Sequence, residues 1–374
     1  MKKPLLLLFL VFAALTVVGP TQRAQSTPSL KEAFKSAFLI GAALNRRQFS
    51  EEDPRALPII KAQFNSITPE NQLKWQYVHP RPDTYDFAGS DRYVAFGEKY
   101  QLVIIGHTLV WHRQTPAWVF QDDKGNPVDR ETLLNRLHEH ILKVVGRYKG
   151  RIKGWDVVNE ALNADGTMRQ SPWLKIIGDD YVAKAFEFAH EADPQAQLYY
   201  NDYSLENEPK RNGAVKLVQK LQAQGIPIAA VGLQGHNKLD WPTMAQQDAT
   251  IGAFAKLGIK INITELDVDV LPYVAEEVGP TIRIADKPTL NPYASGLPEP
   301  VSAAQAKQFA GLFQVYLKHR DVIDRVTFWG VTDGDTWLNN WPVRGRTNYP
   351  LLFDREGQTK PAFDAVIKTA LGVR

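Results

Sequence analysis

The sequence predicts a single (β/α)₈ barrel, a member of the α/β class, on three observations. Eight short apolar runs alternate with amphipathic stretches from about residue 36 to the end. The runs are almost continuously apolar, as expected of a parallel sheet covered on both faces. Polar and aromatic residues collect where the runs end, and that is the face on which barrels of this kind carry their chemistry.

The strand candidates are Phe38–Leu44, Ser66–Thr68, Leu102–Thr108, Gly154–Val158, Gln197–Tyr200, Ala229–Leu233, Lys260–Thr264 and Arg325–Gly330. The clearest helical stretches between them are Arg130–Tyr148, Val182–Glu191, Gly213–Gln224, Thr243–Leu257 and Ala303–Lys318. In the first of these, Leu133, Leu134, Leu137, Ile141, Val144 and Val145 recur at helical spacing. A doubly wound open sheet is the rival fold, but no glycine-rich phosphate turn follows the first run. Leu271–Pro300, between the seventh strand and its helix, contains six prolines and is too long for an ordinary βα connection. It is expected to line the mouth of the barrel or to decorate its surface.

The first residues carry a different pattern. Lys2 and Lys3 precede an apolar run from Leu5 to Val18, followed by Gly19-Pro20. That is the layout of an export signal, and the run is too short to span a bilayer. The expectation is a signal peptide over residues 1–24, a mature catalytic domain over 25–374, and a protein secreted to the periplasm or the medium. The mature chain should have no membrane span, and a monomer is expected. The formal charge of +3 owes itself to Lys2, Lys3 and Arg23; without them basic and acidic residues balance. A nucleic-acid partner is therefore disfavoured. The chain has no cysteine, which removes disulfides, thiolate nucleophiles and Cys-ligated zinc.

The polar clusters at the strand ends are Thr68-Pro-Glu-Asn71, Gly106-His-Thr-Leu-Val-Trp-His112, Asn159-Glu160, Asn201-Asp202, Gln234-Gly-His236 and Glu265-Leu-Asp267, with Trp329 and Trp337. Glu160 and Glu265 follow strongly apolar runs on strands four and seven, which lie across the barrel mouth from each other. Two such acids can form a structural ion pair. They are also the minimal apparatus for cleaving a glycosidic bond held between them. The surrounding amides and indoles favour the second reading, because pyranose rings present apolar faces to aromatic rings. Of the nine tryptophans, Trp75, Trp118, Trp173 and Trp241 are read as packing, whereas Trp111, Trp329 and Trp337 lie on the active face. His107, His112 and His236 could be set up as a metal site, but no HExxH motif occurs, and His138 and His140 do not share a helix face. Neither a metal nor any other cofactor is expected. Asn262-Ile-Thr264 matches a glycosylation sequon inside a strand candidate and is read as chance. No G-x-S-x-G elbow is present.

At these residues the chain resembles the glycoside hydrolase family 10 xylanases. Trp155-Asp-Val-Val-Asn-Glu-Ala161 is similar to that family's acid/base segment, and Gly258-Ile-Lys-Ile-Asn-Ile-Thr-Glu-Leu-Asp-Val268 to its nucleophile segment. Thr68–Trp75, Gly106–His112, Gln234–His236 and the Trp329 strand with Trp337 extend the likeness in order over nearly the whole chain. The resemblance implies an endo-acting β-1,4-xylanase that retains anomeric configuration, with xylan or xylo-oligosaccharides as substrate. Glu265 would be the nucleophile and Glu160 the acid and then the base. Asn159 would hold the sugar 2-hydroxyl, and His236, backed by Asp267, would orient the nucleophile beside Gln234. Glu70, Asn71, Lys74 and His107 would bind the glycone through hydrogen bonds, walled by Trp111, Trp329 and Trp337. Gln114 would crowd out the hydroxymethyl group of glucose. The alternatives are a related barrel glycosidase acting on cellulose or β-glucan and a catalytically silent carbohydrate-binding protein. A metal-dependent hydrolase is the third, and activity that survives exhaustive chelation would dispose of it.

Overall fold

A computed structural model describes residues 28–275 and 278–372. The predicted signal peptide over residues 1–24 lies outside them. Eight parallel strands close on themselves: β1 (Leu39–Leu44), β2 (Ser66–Pro69), β3 (Val103–Val110), β4 (Gly154–Asn159), β5 (Gln197–Asp202), β6 (Ala230–Leu233), β7 (Lys260–Asp269) and β8 (Ile323–Phe328). Each pairs with the next, and β8 returns to β1 through Leu39 opposite Arg325. The strands follow from their composition: buried Val, Ile and Leu fill both faces of a sheet that helices cover outside and side chains fill inside.

The helices of the outer ring are α1 (Ala56–Gln63), α2 (Ala88–Lys99), α3 (Arg130–Arg147), α4 (Tyr181–Ala192), α5 (Glu208–Ala223), α6 (Met244–Ala255), α7 (Glu299–Lys318) and α8 (Pro361–Gly372). α3 starts where Asp129 accepts a hydrogen bond from the Thr132 amide, and it buries Leu133, Leu137, Ile141, Val144 and Val145 against the strands. A capping box between Thr243 and Gln246 opens α6. α5 and α7 begin four or five residues before the sequence places them, at Glu208 and Glu299. In each, a proline in the first turn opens the helix instead of breaking it, since its missing N–H would have no partner there.

Two strand ends differ from expectation in a way that shapes the site. β7 runs on to Asp269, five residues beyond the predicted Thr264. A short strand, His236–Lys238, lies just past β6 and pairs with this extension, His236 opposite Asp267. Glu265 therefore sits inside a paired strand and not at its frayed end. The long segment after β7 holds three short 3₁₀ turns and is pinned to the loop after β8. The Thr347 amide donates to Asn291 Oδ1 at 2.7 Å, Tyr349 Oη to the Tyr293 carbonyl at 2.9 Å, and Arg346 to the Pro272 carbonyl at 3.2 Å. No helix among the described residues is long and apolar enough to cross a membrane.

Candidate active site

Strand register assembles the site. Asn159 of β4 lies opposite Asn201 of β5, and Asn201 lies opposite Gly232 of β6. Gly232 has to be glycine for a plain reason. A Cβ there would stand 2.2 Å from Asn201 Oδ1 and 2.9 Å from the Thr264 methyl group. The space it leaves lets Asn201 reach across the barrel mouth. Thr264 Oγ1 donates to Asn201 Oδ1 at 2.7 Å, which orients the amide so that Nδ2 donates both to Glu265 Oε1 (2.8 Å) and to Asn159 Oδ1 (2.9 Å).

Glu265 is buried, with 5% of its surface exposed. His236 Nε2 meets its second oxygen at 3.2 Å, and His236 Nδ1 is 2.9 Å from Asp267 Oδ2. Trp337 Nε1 donates to the same Asp267 oxygen at 2.9 Å. Burial pushes the Glu265 carboxyl up. The hydrogen bond from His236, the charges of His107 and His236 and the Asn201 amide together outweigh it and hold Glu265 below the ordinary range. Burial likewise pushes His236 down, but Asp267 and Glu265 raise it to about 10. At neutral pH the site thus holds an imidazolium between Glu265 and Asp267.

Glu160 has different company. It is half-buried, and its carboxyl oxygens accept from Trp111 Nε1 at 2.9 Å, Gln234 Nε2 at 3.1 Å and Asn159 Nδ2 at 3.3 Å. All three donors are neutral. A run of amides (Gln234, Asn159, Asn201) links the two carboxyls, so strands β4 to β7 converge on one spot. Two glutamates with unlike partners facing a common cleft can divide acid and nucleophile roles between them.

The remaining sequence candidates line the same mouth. Asn71 Oδ1 accepts from Lys74 Nζ at 3.3 Å and from Gln114 Nε2 at 3.2 Å, and the Lys74 ammonium lies 4.9 Å from the Trp111 ring centroid. Burial raises the Glu70 carboxyl to about 7 and lowers Lys74 to about 8, against the pull of Glu265, Glu70 and Glu160. His107 is anchored by Asp156 at 2.9 Å, and its ring meets Trp329 edge-on at 5.4 Å. Trp329 is nearly buried, 8% exposed, and forms a floor more than a wall. His112, which the metal alternative used, is lowered to about 4 by burial. Among the described residues no cluster of three His, Cys, Asp or Glu side chains is placed to hold a metal ion. Trp75 and Trp173 are buried packing residues, and the Trp173 indole donates to the Trp111 carbonyl at 3.0 Å.

Sequence reasoning noted Asn201 only as part of a strand-end cluster and passed over Thr264, Asp156 and Arg169. Asn201 carried a usable signal, a polar amide ending an apolar strand. The others are intelligible only through contacts across the barrel.

Residues 29–369 match the family model described as Glycosyl hydrolase family 10. The chain is 46% identical over 347 residues to the endo-1,4-beta-xylanase A of Xylanibacter ruminicola, covering 92% of this chain and 94% of that one. It is 42% identical over 365 residues to the beta-1,4-xylanase of Dictyoglomus thermophilum, covering 97% of each. Among solved structures it is similar to a GH10 endoxylanase retrieved from sugarcane soil metagenome, with a TM-score of 0.86 and 43% identity over 91% of this chain and 99% of that one. With the family's fold, its length and two converging glutamates all present, the chain belongs to glycosyl hydrolase family 10 and is a glycoside hydrolase.

Proposed function

We propose that the protein is an endo-1,4-β-xylanase that cleaves internal xylosidic bonds by double displacement with retention. The observation that carries this reading is the unlike company of the two glutamates. Glu265, held ionised by His236 and Asn201, attacks the anomeric carbon and forms a glycosyl ester. Glu160 gives its proton to the departing glycosidic oxygen. It then takes a proton from the water that attacks the same carbon, which breaks the ester and frees Glu265. Asn159, hydrogen-bonded to Glu160 and to the Asn201 amide that holds Glu265, takes the sugar 2-hydroxyl, a contact that tightens as charge develops at the neighbouring carbon. Glu70, Asn71, Lys74, His107 and Gln114 bind the glycone, with Trp111, Trp329 and Trp337 around it. The xylanases to which the chain is 42–46% identical support xylan as the substrate.

The test is product analysis of the protein on unbranched xylan, cellulose and mannan, with Glu265→Ala in parallel. Xylo-oligosaccharides from the wild type alone are expected. NMR of the first-formed product should show the β-anomer; the α-anomer would sink the double displacement. Cellulose cut in preference to xylan would overturn the substrate while keeping the two glutamates. Binding without cleavage of any of the three would make this a carbohydrate-binding protein. Export through the N-terminal segment belongs to the same reading. Terminal sequencing of protein recovered outside the cytoplasm should begin near Gln25, and an intact Met1 there would refute cleavage.

A further inference from the structure

Glu160 is not in an ordinary strand-end conformation. Its φ is +58°, in the left-handed region that a residue with a side chain seldom occupies. Such a conformation persists only where the surroundings hold it from both sides, and here they do. On one side the Glu160 amide donates to the Asn201 carbonyl at 2.9 Å. On the other, Arg169 Nε donates to the Glu160 carbonyl at 3.0 Å.

Arg169 reaches that carbonyl because the chain doubles back. After Glu160 it turns through Asn163–Thr167, Leu162 pairs antiparallel with Met168, and the Arg169 amide donates to the Ala161 carbonyl at 2.7 Å. The guanidinium then spreads over three acceptors: Glu160 O through Nε, and Leu162 O (3.2 Å) and Tyr203 Oη (3.0 Å) through Nη2. A planar fork can hold two carbonyls two residues apart and a hydroxyl from the neighbouring β5 loop at once. An ammonium on a flexible stem offers one point charge and cannot reproduce that spread.

We propose that Arg169 is a positioning residue for the acid/base carboxyl: by clamping the Glu160 carbonyl to the β5 loop it aims the Glu160 side chain at the leaving oxygen. Arg169 touches no reacting atom in this account and acts through the main chain of Glu160. The inference rests on the reading of Glu160 as acid and base, so its test must separate the two.

Leaving-group dependence makes that separation. A xylo-oligosaccharide expels a sugar hydroxyl and needs a well-aimed proton, whereas an aryl β-xylobioside with a dinitrophenolate leaving group needs none. Because kcat/KM reports on steps up to the formation of the glycosyl ester, the later base role of Glu160 does not enter. The ratio of the two kcat/KM values in one preparation is also independent of how much of it is folded. For Arg169→Lys and Arg169→Met the structure leads to a loss on xylohexaose of ~10²-fold, the scale of a misaimed catalytic group. The loss on the aryl xylobioside should stay within about threefold, since general acid catalysis contributes nothing there. Equal losses on both substrates would mean that Arg169 supports only the fold of the loop and would overturn the proposal, as would full activity of both variants on xylohexaose. Failure of the wild type itself to cleave either substrate would instead bring down the reading of the site, and this inference with it.

Discussion

At the scale of single residues, the cation at His236 decides how the site responds to pH. Its folded pKa of about 10 is raised above an unfolded value of about 6.5. The stabilisation is therefore fully present below about pH 6.5 and is lost as the pH rises through about 10. Glu265 works in the opposite sense. Its lowered pKa gives stability that is present above the ordinary Glu range and is lost as the solution is acidified below it. The wild type should then lose melting temperature between pH 7 and 10, and His236→Asn should show a flatter decline over the same window. Parallel curves for the two proteins in thermal melts would contradict an imidazolium at His236. Glu70 supplies a second titration, near pH 7, beside Lys74 at about 8. With the glycone role proposed above, its ionisation would make it a stronger acceptor for sugar hydroxyls, so KM for xylo-oligosaccharides should fall between pH 6 and 8. Glu70→Gln cannot ionise, and a KM profile in that variant still tracking the wild type would remove Glu70 from the glycone site.

Elements set how accurately those residues meet. Gly232 on β6 makes room for Asn201, which serves both Asn159 and Glu265. Gly232→Ala should push Asn201 off Glu265 and lower kcat/KM by ~10²-fold. Overpacking of the barrel interior should destabilise it by about 1–3 kcal/mol in urea titration. An alanine variant with wild-type kinetics would show that Asn201 is dispensable. Thr243, whose capping box with Gln246 opens α6 without a hydrogen bond to any residue of the site, gives the contrasting case. Thr243→Ala should lower stability by about 1 kcal/mol and leave kinetics alone. The same scale explains what was legible beforehand. Long apolar runs and the α3 stripe announced themselves by period, and so did the placing of Glu160 and Glu265 after such runs. The His236–Lys238 strand could not, because three residues carry no measurable alternation. Nor could the extension of β7 to Asp269, whose Glu265 and Asp267 read as a strand's end until a partner strand is seen beside them.

For the whole molecule, closure of the sheet is what joins Glu160, Gln234 and Glu265 to Trp111 and Trp337, residues far apart along the chain. It also lets the loop after β8 anchor the proline-rich segment after β7, through Thr347, Tyr349 and Arg346. The sequence by itself determined the barrel, its eight strands and the polar residues gathered at their ends, because each of these leaves a local trace: a period, an apolar run, a polar residue at a strand's end. Only the tertiary structure decided which of those residues touch. That Trp111 holds Glu160 and Asp267 charges His236 is a matter of strand register and curvature. So is the grip of Arg169 on the main chain of Glu160. Contacts of this kind arise from packing summed over the closed sheet, and no short window of sequence encodes them.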